Sequence, residues 1–70
     1  MTELKTRIPE LRRECRLTQS ELAERTGVRR ETIMRLEKAQ YNPSLKLAVD
    51  ISRAVETPIE ELFVFPEEPE

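Results

Sequence analysis

The stretch LTQSELAERTGVRRETIMRLEK, residues 17–38, dictates two short helices and the turn between them. Thr18 and Glu21 have the spacing of a capping box: the hydroxyl accepts an N–H left unpaired at a helix start, and the glutamate reaches back to the cap's own N–H. Gly27, the single glycine of the chain, supplies a left-handed stop. About two turns of helix fit between these signals, with Leu22 and Ala23 turned inward and Ala23 small enough for a second helix to approach closely. Beyond the turn, Val28, Ile33 and Leu36 lie along one side of a further helix that runs from about Arg30 to Lys38.

The rest of the chain is divided in the same way. Ile8, Leu11 and Cys15 recur at i, i+3 and i+7 and mark a first helix over Ile8 to Cys15, with Pro9 in the first turn, where a missing N–H costs little. Cys15 on that stripe reads as a small core hydrophobe, with a redox-sensing thiol as the alternative. Ser44, after Asn42-Pro43, caps a fourth helix that carries Leu45, Ala48, Ile51, Ser52 and Val55 inward. Thr57-Pro58 opens a fifth, with Glu60 completing a second capping box. The expected fold is all-α: a compact five-helix domain over residues 1–65, with the helix-turn-helix at about 18–37 and an acidic tail at 66–70.

Seventy residues at 37% hydrophobic content make a small core, so self-association is expected. Leu47, Ile51 and Ala54 form a second apolar stripe on the fourth helix. Ile59, Leu62, Phe63, Val64 and Phe65 add more apolar surface than the end of so small a domain needs. A twofold contact through Leu47, Ile51, Ala54, Ile59, Phe63 and Phe65 would cover it, making a homodimer, while Ile59 and Leu62 also fit a purely core role.

Composition narrows the chemistry. There is no histidine and only one cysteine, so neither an internal disulfide nor an ordinary zinc site is expected. No nucleophile–base pair or glycine-rich phosphate loop is present, so the chain is expected not to be an enzyme and to carry no cofactor. No apolar run is long enough for a membrane span and the N-terminus lacks a signal-peptide core, which predicts a soluble, cytoplasmic protein. The net charge of −2 conceals a division. Residues 1–55 hold all 12 Lys and Arg against eight acids, whereas residues 56–70 carry six glutamates and no base. A basic body with an acidic end suits a protein that meets a polyanion on one side; a simply solvated tail fits equally well.

The third helix shows where a polyanion would be met. Opposite Ile33 and Leu36, its outer side presents Arg30, Glu31, Met34, Arg35 and Lys38. On an isolated amphipathic helix this would be an ordinary solvated face. The same groups can read base edges: Arg30 and Arg35 can each fork onto guanine O6 and N7, Glu31 can accept from cytosine N4, and Met34 or the Thr32 methyl can rest against a thymine methyl.

LTQSELAERTGV, Ile33-x-x-Leu36-Glu37, YNPSL and TPIEELF occur in an order and spacing that resemble the phage-repressor-like helix-turn-helix regulators of the lambda/434 repressor and Cro type. The resemblance runs from about Leu4 to Phe65 and is strongest to short stand-alone members, such as repressors of bacterial cytolysin operons. It implies a dimeric repressor that binds double-stranded DNA with the third helix in the major groove. It also implies a phosphate contact from Gln19 and phosphate or minor-groove contacts from Arg29, Lys38, Tyr41, Asn42 and Ser44. Arg12 and Glu37 match a structural ion pair of that family, and Phe63–Phe65 could pair as a strand with Glu3–Lys5. Four positions depart from the pattern: Arg16, Ala39 and Glu56 replace usual glycines, and Arg29 replaces a Ser or Thr cap. Relatives of this fold also serve as antitoxins, which makes a toxin an alternative partner. RNA recognition would call for exposed aromatics, and only Tyr41 offers one.

Overall fold

In the computed structural model, which describes residues 5–64, the chain forms four α-helices closed by a short ribbon. Strand β1 (Lys5–Thr6) is followed by α1 (Ile8–Glu14), α2 (Gln19–Thr26), α3 (Arg30–Glu37) and α4 (Leu45–Ala54). A single 3-10 turn (Ile59–Glu61) and β2 (Phe63–Val64) complete it. The strands pair antiparallel, Lys5 opposite Val64 and Thr6 opposite Phe63. This is the ribbon expected from the resemblance, beginning at Phe63 as expected and reaching one residue further, to Thr6, on the other strand; Glu3, Leu4 and Phe65 lie outside the described residues.

Each helix contributes to one core. Ile8, Leu22, Ile33, Leu36, Ile51 and Leu62 are fully enclosed, and Leu11, Leu17, Ala23, Leu47 and Val55 pack around them. Cys15 lies against this core, its thiol directed at the Val55 carbonyl oxygen 3.4 Å away. The helix starts follow their local signals. The Thr18 Oγ1 accepts from the Glu21 N–H at 3.0 Å while the Thr18 N–H donates to Glu21 Oε1 at 2.9 Å, so the capping box is complete. Ser44 Oγ accepts from the Leu47 N–H at 3.1 Å.

All four helices end in the same way. The N–H of a residue just past each helix, the second after α2 and the third after the others, returns to a carbonyl five positions back: Leu17 to Arg12, Val28 to Ala23, Gln40 to Arg35 and Thr57 to Ser52, at 2.8 to 3.1 Å. This closure requires a left-handed residue at the corner. Gly27 takes it at φ 71°, but Arg16, Ala39 and Glu56 are held at φ 58°, 58° and 52°. The three positions that lack the usual glycine keep its conformation and carry the strain of a Cβ there.

Two expectations are corrected. The fifth helix is one 3-10 turn: Thr57 Oγ1 donates to the Val55 carbonyl at 3.0 Å and makes no capping box with Glu60. Leu62 must enter the core and Phe63 must already pair in the ribbon, which leaves length for a single turn. The second correction concerns α4. Its inward arc is Leu47, Ala48, Ile51 and Val55, so Leu47 (6% exposed) and Ile51 (0%) are core residues with no surface left for a partner. Leu45, at roughly 100° from the centre of that arc at 100° per residue, is 77% exposed where an inward position was expected.

Candidate nucleic-acid interface

The outer side of α3 is built on a firmly anchored inner side. Ile33 and Leu36 are fully enclosed, and Val28 packs beside them where the turn from α2 delivers the chain. With those positions fixed, the helical period places Arg30, Glu31 and Arg35 in solvent and leaves Thr32 and Met34 half-buried at the two opposite edges of that outer face. Lys38 caps the C-terminal end and is exposed. Among the described residues, none of Arg29, Arg30, Arg35 and Lys38 enters an ion pair, whereas Arg7, Arg12 and Lys46 each do. Four cations therefore face solvent without a carboxylate at salt-bridge distance.

These side chains line three shallow grooves. One is formed by Arg29, Glu31, Thr32, Arg35 and Tyr41. A second, sharing Glu31 and Arg35, continues along Met34, Lys38 and Gln40. Arg35 thus stands on the ridge between them. A third lies at the start of α2, lined by Arg12, Leu17, Thr18, Gln19, Ser20 and Arg30. All five expected base-reading residues border this surface, with Arg30 set apart from the other four. Ser20 and Gln40 join it although the sequence reading passed them over. Ser20 sits in the first turn of α2 and Gln40 directly follows left-handed Ala39, positions that turn a side chain outward.

Arg29 sits at the N-cap of α3 with φ −80° and ψ 154°, and its side chain makes no capping hydrogen bond. The missing hydroxyl leaves α3 uncapped while its replacement puts a guanidinium at the groove edge. Tyr41 and Asn42 are exposed in the loop to α4. Ser44, also exposed, uses an oxygen lone pair on its own helix.

Gln19 makes a contact that its place in the sequence does not announce. One N–H of its side-chain amide donates to Glu37 Oε1 at 3.0 Å, which leaves the second N–H and the amide oxygen for another partner. Glu37 in turn is joined to Arg12, whose Nε donates to Oε2 at 2.7 Å and whose Nη2 reaches Oε1 at 3.4 Å. Arg12 Nη1 also donates to the Leu17 carbonyl at 2.8 Å. The Arg12–Glu37 pair implied by the resemblance is therefore present, and Gln19 is its third member. Nearby, the Thr18 backbone N–H and hydroxyl hold the Glu21 carboxyl below its ordinary value of 4.5.

Of the expected partner-facing residues, Ala54, Ile59 and Phe63 remain half-buried at the surface, Leu47 and Ile51 are enclosed, and Phe65 lies outside the described residues. Val64, next to Phe63 in β2 and so directed to the other face of the ribbon, is 45% exposed. Among the described residues no group of three His, Cys, Asp or Glu is placed to hold a metal, and no helix is long and apolar enough to cross a membrane.

The chain is similar to several known helix-turn-helix proteins. An uncharacterized HTH-type transcriptional regulator of Archaeoglobus fulgidus is 57% identical over 65 residues, covering 93% of this chain and 92% of the relative. The HTH-type transcriptional regulator YgzD of Bacillus subtilis is 38% identical over 65 residues, covering 93% of this chain and 98% of its own. Among solved structures, the restriction-modification controller protein C.AhdI of Aeromonas hydrophila superposes with a TM-score of 0.73 at 31% identity, over 79% of this chain and 83% of that one. A putative DNA-binding protein from Bacteroides fragilis gives 0.79 at 26% identity, over 89% and 100%. The helix-turn-helix family profile matches residues 8–62. With that match and these relatives, the chain belongs to the XRE-type helix-turn-helix family of transcriptional regulators.

Proposed function

We propose that this protein binds double-stranded DNA sequence-specifically and represses transcription by occupying an operator as a homodimer. The observation that carries the reading is the outer face of α3, where Arg29, Arg30, Arg35 and Lys38 are exposed and, among the described residues, make no ion pair, on a helix whose opposite side is locked into the core. Arg35 and Arg30 are assigned to guanine, Glu31 to cytosine, and Met34 and Thr32 to thymine methyl groups. Arg29, Lys38, Tyr41, Asn42 and Ser44, at the two ends of α3 and in the loop beyond, are assigned to phosphates and the neighbouring minor groove.

Two bidentate arginine contacts at ~1–3 kcal/mol each reach at most the lower half of the ~4–10 kcal/mol that separates specific from non-specific sites. Two protomers acting on two half-sites close that gap, with centres about 34 Å apart on one face of the duplex. Ala54, Ile59 and Phe63, each half-buried beside the core, are assigned to the twofold contact. The described residues fold into one small body, and repression by obstruction needs nothing further.

Selection of bound duplexes from a random pool tests the reading. The expected result is a twofold-symmetric consensus containing G·C pairs, bound by two protomers with an affinity that falls steeply as salt rises. Recovery of no consensus, or of binding indifferent to salt, would contradict it.

A further inference from the structure

Helices α2 and α3 form a V that is closed at one end by the Gly27–Val28 turn. Its open end lies between Gln19, the first residue of α2, and Glu37, the last of α3. These two residues meet: Gln19 Nε2 donates to Glu37 Oε1 at 3.0 Å. A carboxylate only accepts, so the amide nitrogen and not its oxygen must face Glu37. Arg12 from α1 holds the other carboxylate oxygen at 2.7 Å and anchors itself on the Leu17 carbonyl at 2.8 Å. The Glu37 side chain is only 6% exposed and so cannot exchange these donors freely for water.

Resting on the DNA-binding reading above, we propose that Gln19 is a positioning residue for base recognition. Through Glu37 it latches the open end of the V, so that the far half of α3, with Met34, Arg35 and Lys38, is held at a fixed angle to the start of α2. Eight residues of α-helix span ~12 Å, so a swing of roughly 5° about the turn displaces the far end by about 1 Å. Bidentate readout tolerates only about half of that. Arg30, close to the turn, moves far less in such a swing. The latch therefore acts on discrimination at the base pair read by Arg35, and a phosphate contact alone would not.

The test is a double-mutant cycle on the intact chain, with Gln19→Ala, Arg35→Ala and the double variant each titrated against the selected duplex, its single-base variants and a random duplex. Thermal unfolding is followed on the same preparations. Gln19→Ala is expected to lower the specific-to-random affinity ratio by about five-fold or more, chiefly at the Arg35 base pair, and to make Arg35→Ala correspondingly less costly in its background. Equal loss on both duplexes with additive effects, or a lowered Tm with an unchanged ratio, overturns the latch and leaves the DNA-binding reading intact. A wild-type protein that does not discriminate between the duplexes overturns both.

Discussion

Arg12 and Glu37, 25 residues apart, meet at 2.7 Å with their side chains only 11% and 6% exposed. The other ion pairs among the described residues are more open to solvent. An exposed pair adds little, but removing one member of an enclosed pair strands the other without its counter-charge. Arg12→Ala is predicted to destabilise the fold by ~3–5 kcal/mol. Because Arg12 also satisfies the Leu17 carbonyl, Glu37→Ala should cost less than Arg12→Ala. Urea unfolding of the two variants measures both, and losses below 1 kcal/mol would show the pair to be solvated.

The left-handed corners give a prediction of the opposite sign. Arg16, Ala39 and Glu56 occupy φ values of 52° to 58° that glycine adopts without steric penalty. Ala39→Gly and Glu56→Gly should each stabilise by ~0.5–1 kcal/mol, the relief of Cβ strain exceeding the added entropy of the unfolded chain. Conversely, Gly27→Ala should cost ~1–2 kcal/mol, all of it conformational, since nothing lies within 4 Å of an added Cβ. Shifts in the urea midpoint at unchanged slope would confirm both signs.

The α2 capping box couples stability to pH. Glu21 is held below 4.5 by the Thr18 backbone N–H, and next by the Thr18 hydroxyl, so the folded state favours its ionised form. For a lowered carboxylate, the stabilisation is fully present above the unfolded value and is lost as pH falls through the folded one. Glu21→Gln, which keeps the box geometry without a titrating group, should flatten the fall of the urea midpoint on acidification below 4.5. Thr18→Ala should cost ~1 kcal/mol at neutral pH.

Arg29 sets stability against binding. Arg29→Ser supplies the missing acceptor at the N-cap of α3 and should stabilise the domain by ~1 kcal/mol. The same change removes a groove cation, so affinity for all duplexes should fall and the dependence on salt should weaken. Unfolding and binding titrations of the one variant check both halves.

What the sequence disclosed depended on how local each signal was. Thr18, Glu21, Gly27 and Ser44 act within a turn of their own positions, and the structure forms the cap or stop each one announces. Thr57 and Glu60 have the same spacing, but there the demands of Leu62 in the core and Phe63 in the ribbon override it. On α4, Leu45 and Leu47 are equally apolar, so only the packed arc decides which turns inward. The interface divides similarly. The outer face of α3 was legible from its period, and Arg12–Glu37 only through a family resemblance. The bond from Gln19 to Glu37 spans 18 residues and left no local trace.

Sequence-specific binding requires Arg35 to face a base edge. Its most direct test is the affinity of Arg35→Ala for the selected operator and for a random duplex at one salt concentration. The predicted result is a loss of ~1–3 kcal/mol on the operator, relaxed preference at a single base pair and a much smaller loss on random DNA. Equal losses on the two duplexes would contradict it.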